Sequence, residues 1–139
     1  MKTIITVSAA PIFLLVAVSP CFAEWGIAPV DKERAKELDM DVRSESAGPN
    51  QVRVELEFSA ERELKNVSRV DLRFGEGDNP PLTAPLHEGR SKPGRVAVNF
   101  TADRAQVDKI TLWVMVPETL GGTVYQLRMK DFVKPEKGR

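Results

Sequence analysis

The stretch Gln51–Phe58, with the sequence QVRVELEF, decides the fold because apolar and polar residues alternate along it without interruption. In an extended chain Val52, Val54, Leu56 and Phe58 lie on one side and the polar residues on the other, whereas a helix distributes them around its surface. The stretch therefore predicts a β-strand with one buried side and one side facing solvent.

A second alternating stretch precedes this strand and predicts a β-hairpin. Leu38, Met40 and Val42 alternate with charged residues. The intervening segment Ala47–Asn50 contains Gly, Pro and Asn, which favour turns. We therefore expect two antiparallel strands joined by this turn.

The same alternation recurs later in the chain and indicates an all-β fold. A weaker segment, Thr83–His87, is expected to be a short edge strand, because Pro85 cannot donate a hydrogen bond to a neighbour. The clear segments are Arg69–Phe74, Arg95–Phe100, Ile110–Val116 and Tyr125–Lys130.

Together these segments predict an antiparallel β-sandwich of about seven strands over residues 38–133. In strand number, spacing and length the chain resembles the immunoglobulin/fibronectin-like class in outline. The Cys…Trp…Cys pattern of true immunoglobulin domains is absent. A small closed barrel is the alternative fold.

The first 23 residues have the order of parts that is typical of a secretory signal peptide. Lys2 gives a positive start, Ile12–Val18 forms an apolar centre, and Cys21 and Ala23 place small residues at a cleavage site. Cleavage after Ala23 predicts a secreted or periplasmic protein with no stable membrane insertion. The alternatives are an uncleaved signal that acts as an anchor, or a lipid attached to Cys21.

The mature chain that this cleavage predicts, residues 24–139, has nearly balanced charge. The full sequence has 20 Lys and Arg against 20 Asp and Glu. Removing Lys2 with the signal leaves a net charge of −1 and no basic run, so nucleic acid is not an expected partner. Residues 24–37 form an N-terminal segment with a short helical turn expected over Asp31–Glu37, and residues 134–139 form a charged tail.

Residue types that support catalysis or tight metal binding are sparse. His87 is the only histidine, and no Gly-x-Ser-x-Gly elbow or glycine-rich phosphate loop is present. Zinc therefore lacks ligands, and we expect neither a catalytic group nor a cofactor. Calcium is the more plausible metal, through Glu76, Asp78 and Asn79, but this loop lacks the longer donor series of an EF-hand and a plain turn is expected.

Most charged residues are expected on the solvent-facing sides of strands. Arg53, Glu55 and Glu57 alternate on one strand and Arg69, Asp71 and Arg73 on another. We expect these two sets to form exposed cross-strand rows, in which each pair contributes about 0.2–1 kcal/mol. The rows therefore predict a solvated surface and not a recognition site.

Trp113 and Met115 are the candidate partner-binding residues. They face away from Ile110, Leu112, Val114 and Val116, so this strand is apolar on both sides. It is either a central strand covered by protein, for example by residues 25–30, or an exposed aromatic and methionine patch that binds a partner.

Two function classes remain open from the sequence. The favoured one is an exported, non-enzymatic β-sandwich module that binds an unknown protein or a glycan through a sheet edge or the Trp113 side. The alternative is a small exported enzyme or calcium-dependent sugar-binding domain that uses loop carboxylates near Glu76 and Asp78.

Overall fold

The structure, a computed structural model, describes residues 25–75, 80–91 and 93–133. Of these residues, 56% lie in strands and 14% in helices, which confirms a mostly β protein. The strands are β1 Trp25–Pro29, β2 Met40–Gly48, β3 Gln51–Ser59, β4 Arg69–Phe74, β5 Leu82–Ala84, β6 His87–Glu88, β7 Arg95–Asp103, β8 Ile110–Pro117 and β9 Gly122–Arg128. The helix α1 spans Lys32–Glu37, and 3-10 helices span Arg62–Leu64, Val107–Lys109 and Met129–Asp131.

Three predicted segments lie outside the described residues. They are the signal peptide over residues 1–23, the loop Glu76–Asn79 and the charged tail over residues 134–139.

The described strands form one sheet of five strands and one of four. The order is β1-β9-β8-β4-β5 in the first and β2-β3-β7-β6 in the second. Neighbours are antiparallel, except that β1 runs parallel to β9. Within residues 38–133, where about seven antiparallel strands are predicted, eight strands are described and their pairings are all antiparallel, whereas the parallel β1 lies in the segment 24–37, for which only a helical turn is expected. β1 has no clear alternation and β6 has two residues, so neither produces a periodic signal.

The predicted hairpin is confirmed as the pair β2–β3. Met40 lies opposite Phe58, Val42 opposite Leu56, and the chain reverses at Pro49-Asn50. The weak strand expected over Thr83–His87 is instead two short strands in different sheets. Pro85 and Leu86 lie between β5 at an edge of the five-stranded sheet and β6 at an edge of the four-stranded sheet.

One hydrophobic core contains residues from both sheets. Val54 and Phe58 contribute from β3, Val98 from β7, and Leu112 and Val114 from β8, all essentially inaccessible to solvent. Burying such a side chain contributes about 1.5–3 kcal/mol relative to leaving it exposed. The core face of β3, β7 and β8 is thus the face that their alternation predicts.

Between β1 and β2, the helix α1 links the two sheets. Asp31 begins it, and its Oδ1 accepts a hydrogen bond from the Arg34 backbone N–H at 2.8 Å. Such a cap stabilises a helix by about 1 kcal/mol. Ala35 is its one buried residue, so the helix contributes little to the core.

Candidate functional site

The outer face of the five-stranded sheet carries an apolar row that crosses three strands. Ile27 on β1 lies in register with Val124 on β9, which lies opposite Met115 on β8. Val124 is buried although it faces away from the core, and Ile27 is 56% exposed. The row continues to Arg69 on β4, whose Nε lies 3.3 Å from the Met115 Sδ.

Trp113 lies in the adjacent row of this face, beneath an arginine. The Arg73 guanidinium carbon lies 3.8 Å from the centre of the Trp113 ring, which is a cation–π contact. Trp113 and Met115 are both half-buried. Trp113 lies opposite Gln126 on one neighbouring strand and Asp71 on the other.

The buried carboxylate of Asp71, on the neighbouring strand β4, contacts side chains of β4 and β5. Asp71 is 1% exposed, its Oδ1 accepts a hydrogen bond from the Thr83 hydroxyl at 2.9 Å, and its Oδ2 lies 3.2 Å from the Arg69 Nε. We call Arg69, Asp71, Arg73, Trp113 and Met115 the Trp113 cluster. The expectation that these charged residues form a solvated row is wrong for Asp71, because its neighbours cover it.

The N-terminal segment extends the sheet beside the Trp113 cluster. Trp25–Pro29 pairs along β9, so β9 separates it from Trp113. It does not lie across β8, as one interpretation of the sequence expected. Alternation indicates which face a strand buries but not which strand it pairs with, so the sequence alone does not distinguish a covering segment from an edge strand at residues 25–30.

A second set of buried charges lies on the outer face of the four-stranded sheet. The Arg95 Nη1 donates to the Asp39 Oδ2 at 2.8 Å and the Ser59 hydroxyl at 2.9 Å. The Arg95 Nη2 donates to the Asp41 Oδ2 and to the Glu57 backbone carbonyl, both at 3.2 Å. Arg95 is buried among these partners, of which Asp41, Glu57 and Ser59 lie in the β2–β3 hairpin and Asp39 directly precedes it.

Glu57 is the buried anion of this set and is 0% exposed. Its carboxylate accepts hydrogen bonds from the Ser91 hydroxyl at 2.5 Å and the Ser91 backbone N–H at 3.1 Å, and it is ion-paired with Arg43. The Ser91 hydroxyl is the main cause that lowers the pKa of Glu57 to about 2, with Arg43 acting in the same direction against desolvation. Glu57 is therefore ionised at neutral pH.

A surface groove of about 600 Å³ lies beside this network. Arg43 donates to the Glu55 Oε1 at 3.0 Å, and the hydrogen bonds to Glu57 and Glu55 raise the pKa of Arg43. The groove has mixed charge and no excess of one sign large enough to select a polyanion. Its lining residues are Arg43, Ser44, Glu45, Arg53, Glu55, Arg90 and Ser91.

The expected exposed rows between the Arg53 and Arg69 strands do not form. Arg53 lies on β3 and Arg69 on β4, and these strands belong to different sheets. Alternation indicates the outward direction of Glu57 correctly but not its burial. The cover comes from the segment before β7, where a Cβ on Gly89 would lie 2.6 Å from the Glu57 Oε2.

The other candidate residues occupy plain positions in the described chain. His87 is exposed on β6, and its Nε2 lies 2.9 Å from the Asn99 Nδ2. Within residues 25–75, 80–91 and 93–133, no three His, Cys, Asp or Glu side chains are grouped so that they could hold a metal ion. None of the helices in the described part of the chain has the length and apolar character needed to cross a bilayer.

Comparison with known proteins adds no assignment. The chain matches no protein-family model, no curated protein and no solved structure.

Proposed function

We propose that the chain is an exported, non-enzymatic β-sandwich module that binds a protein partner through the Trp113 cluster and the neighbouring Ile27. The observation that carries this proposal is the row formed by an exposed Ile27, Met115 and Arg69, beside Trp113 under Arg73. Trp, Met and Arg are enriched at protein–protein interfaces relative to the rest of a protein surface. Lys is depleted at such interfaces, and this row contains none.

The strand order supports an immunoglobulin-like sandwich. In that class the first, second, fifth and fourth strands form one sheet, and the third, sixth and seventh form the other. Counting from β2 and leaving out the three-residue edge strand β5, the order β2-β3-β7-β6 has the first arrangement and β4-β8-β9 the second. The shared core of the two sheets is in keeping with face-to-face packing.

Export is proposed from the sequence of residues 1–23, with a secreted or periplasmic destination. The mature chain contains no cysteine. An oxidising compartment therefore leaves its fold unchanged, and stability depends on the core.

A protein partner is favoured over a glycan because of Arg73. Sugar rings stack on a free aromatic face, and the Arg73 guanidinium already covers a face of Trp113 at 3.8 Å. Against a protein surface the half-buried Arg73 guanidinium is an asset, because its planar set of donors matches the geometry of a partner carboxylate.

The non-enzymatic part of the proposal is supported by the state of the buried carboxylate. A general acid needs a pKa near the working pH, whereas the pKa of Glu57 is about 2 and its oxygens are held by Ser91 and Arg43. The charged residues beside the surface groove are therefore assigned a structural role, in which Glu57 remains ionised and paired.

The test is affinity capture with the full chain from an extract of its source cells, compared with two surface variants. Ile27→Glu should abolish capture of the partner, because a charge then faces the interface. Leu82→Glu is the matched control, since Leu82 is 58% exposed at the opposite edge of the same sheet. Equal capture by both variants, or binding of the chain to a glycan array, contradicts the proposal.

A further inference from the structure

The four-stranded sheet ends in a long edge strand. The edges of the two described sheets are β1, β5, β6 and β2, with five, three, two and nine residues. Short edges give little opportunity for a further strand to pair, whereas a nine-residue edge presents a full row of backbone donors and acceptors. Among the described residues, β2 pairs on one side, with β3.

Two charges of opposite sign flank Ser44 on β2. Arg43 precedes Ser44 and Glu45 follows it, and both side chains belong to the outer face of the sheet. On β3, Glu55 lies opposite Arg43 and Arg53 lies opposite Glu45. A copy of β2 turned by a two-fold axis through Ser44 therefore brings Arg43 opposite Glu45, and Glu45 opposite Arg43.

We propose that β2 pairs antiparallel with β2 of a second copy of this chain, with Ser44 on the two-fold axis. The pairing joins two four-stranded sheets into one of eight strands. It forms two rows of alternating charge, each of which runs Glu55, Arg43, then Glu45 and Arg53 of the second copy. Opposite charges placed directly across a strand pair stabilise it, and like charges oppose it.

The existing contacts prepare Arg43 for this role. Its guanidinium is held by Glu55 in the same row, at 3.0 Å, and by the buried Glu57 in the adjacent row, so the side chain is already fixed on this face of the sheet. Glu45 and Arg53 make no ion pair within the described residues, so each has capacity for a neighbour. Because the contact is self-complementary it closes as a dimer, and this commits the edge to a second copy and not to an unrelated chain.

Cysteine cross-linking tests the register directly. In the full chain with Cys21→Ala, a Ser44→Cys thiol lies opposite its own copy, with Cα atoms about 4.5–5.5 Å apart, which a disulfide can span. The Ser46→Cys control places its two thiols four residues apart along the strands, or about 13 Å, which a disulfide cannot span. We expect disulfide-linked dimers to form rapidly from Ser44→Cys and not from Ser46→Cys. The proposal is overturned if the two variants give equal yields of dimer, or if neither forms a dimer.

Charge reversal gives an independent readout of the same contact. Glu45→Arg places two arginines opposite each other in both rows and should raise the dimer dissociation constant, measured by analytical ultracentrifugation, by roughly tenfold or more. Glu61→Arg makes the same change at an exposed turn away from β2 and should leave the constant unchanged. The dimer is overturned if the unmodified chain is monomeric at all concentrations, or if the two charge reversals change the dissociation constant equally. Failure of the proposed binding through the Trp113 cluster does not bear on the dimer, because the two contacts use different sheets.

Discussion

Glu57 and Arg95 are buried on a face of the sheet that otherwise carries exposed charge. Such burial is retained only where nearly every charged atom has a partner, because removing one partner leaves an uncompensated charge and costs about 3–5 kcal/mol. Here Ser91, Arg43, Asp39 and the strand backbone supply those partners. Through Ser91, the segment before β7 is hydrogen-bonded to Glu57 of the β2–β3 hairpin.

Replacing Glu57 by Gln should make the free energy of unfolding depend less on pH in the acidic range. The pKa of Glu57 is lowered from 4.5 to about 2, so its contribution is present above pH 4.5 and is lost as the pH falls towards 2. At pH 7, Glu57→Gln should lower the free energy of unfolding by about 3 kcal/mol. The difference from the unmodified chain should shrink between pH 4.5 and 2 in urea titrations.

Glu61→Gln is the control for this series. It changes an exposed residue and should alter the free energy of unfolding at pH 7 by less than about 0.5 kcal/mol. A difference between Glu57→Gln and the unmodified chain that stays constant down to pH 2 contradicts the role given to Glu57.

Gly89 is required by close approach to the same network. A Cβ at this position would lie 2.6 Å from the Glu57 Oε2 and 2.8 Å from the Arg95 Cβ. Gly89→Ala should therefore destabilise the fold by about 1–3 kcal/mol in thermal or urea unfolding. Gly26→Ala, where a Cβ meets nothing within 4 Å, should be near neutral, and equal losses for the two would contradict this geometry.

At the scale of elements, the strands divide into those with a periodic signal and those without one. The burial of β8 alternates residue by residue, as its sequence predicts, because one face packs on the core and the other faces outwards. β1 and the two-residue β6 have no such period. Their positions depend on pairing with β9 and β7, which are tertiary contacts.

Amide hydrogen exchange should follow this division. β8 pairs on both sides and carries Leu112 and Val114 in the core, so its amides should exchange among the slowest in the chain. β5 and β6 are short edges and should exchange orders of magnitude faster. Mass-spectrometric exchange measures both, and comparable protection of β6 and β8 contradicts the sheet order.

At the scale of the molecule, the mostly β character and the outward direction of Trp113 follow from alternation alone. The proposed binding surface does not, because it depends on Ile27, Val124 and Met115 coming into register from three strands. The cover of Trp113 by Arg73 likewise comes from pairing of β4 with β8. Such register is set by packing over the whole domain.

The proposed export makes a direct prediction about where the chain begins after processing. Expressed in full in a secreting host, the protein should be recovered outside the cytoplasm with Glu24 as its first residue, as read by N-terminal sequencing. A chain that remains in the membrane fraction with residues 1–23 attached contradicts the cleaved signal. A lipid-modified N-terminus at Cys21 contradicts it as well.

The most direct test of the proposed function uses Trp113 as its own reporter. The chain has two tryptophans and one tyrosine, so Trp25→Phe leaves Trp113 as the single tryptophan, which is excited selectively at wavelengths that Tyr125 does not absorb. Titration with the captured partner should shift the Trp113 emission to shorter wavelength and saturate with the binding isotherm, because the interface removes water from a half-buried ring. Saturable binding with unchanged Trp113 emission would contradict the claim that this face receives the partner.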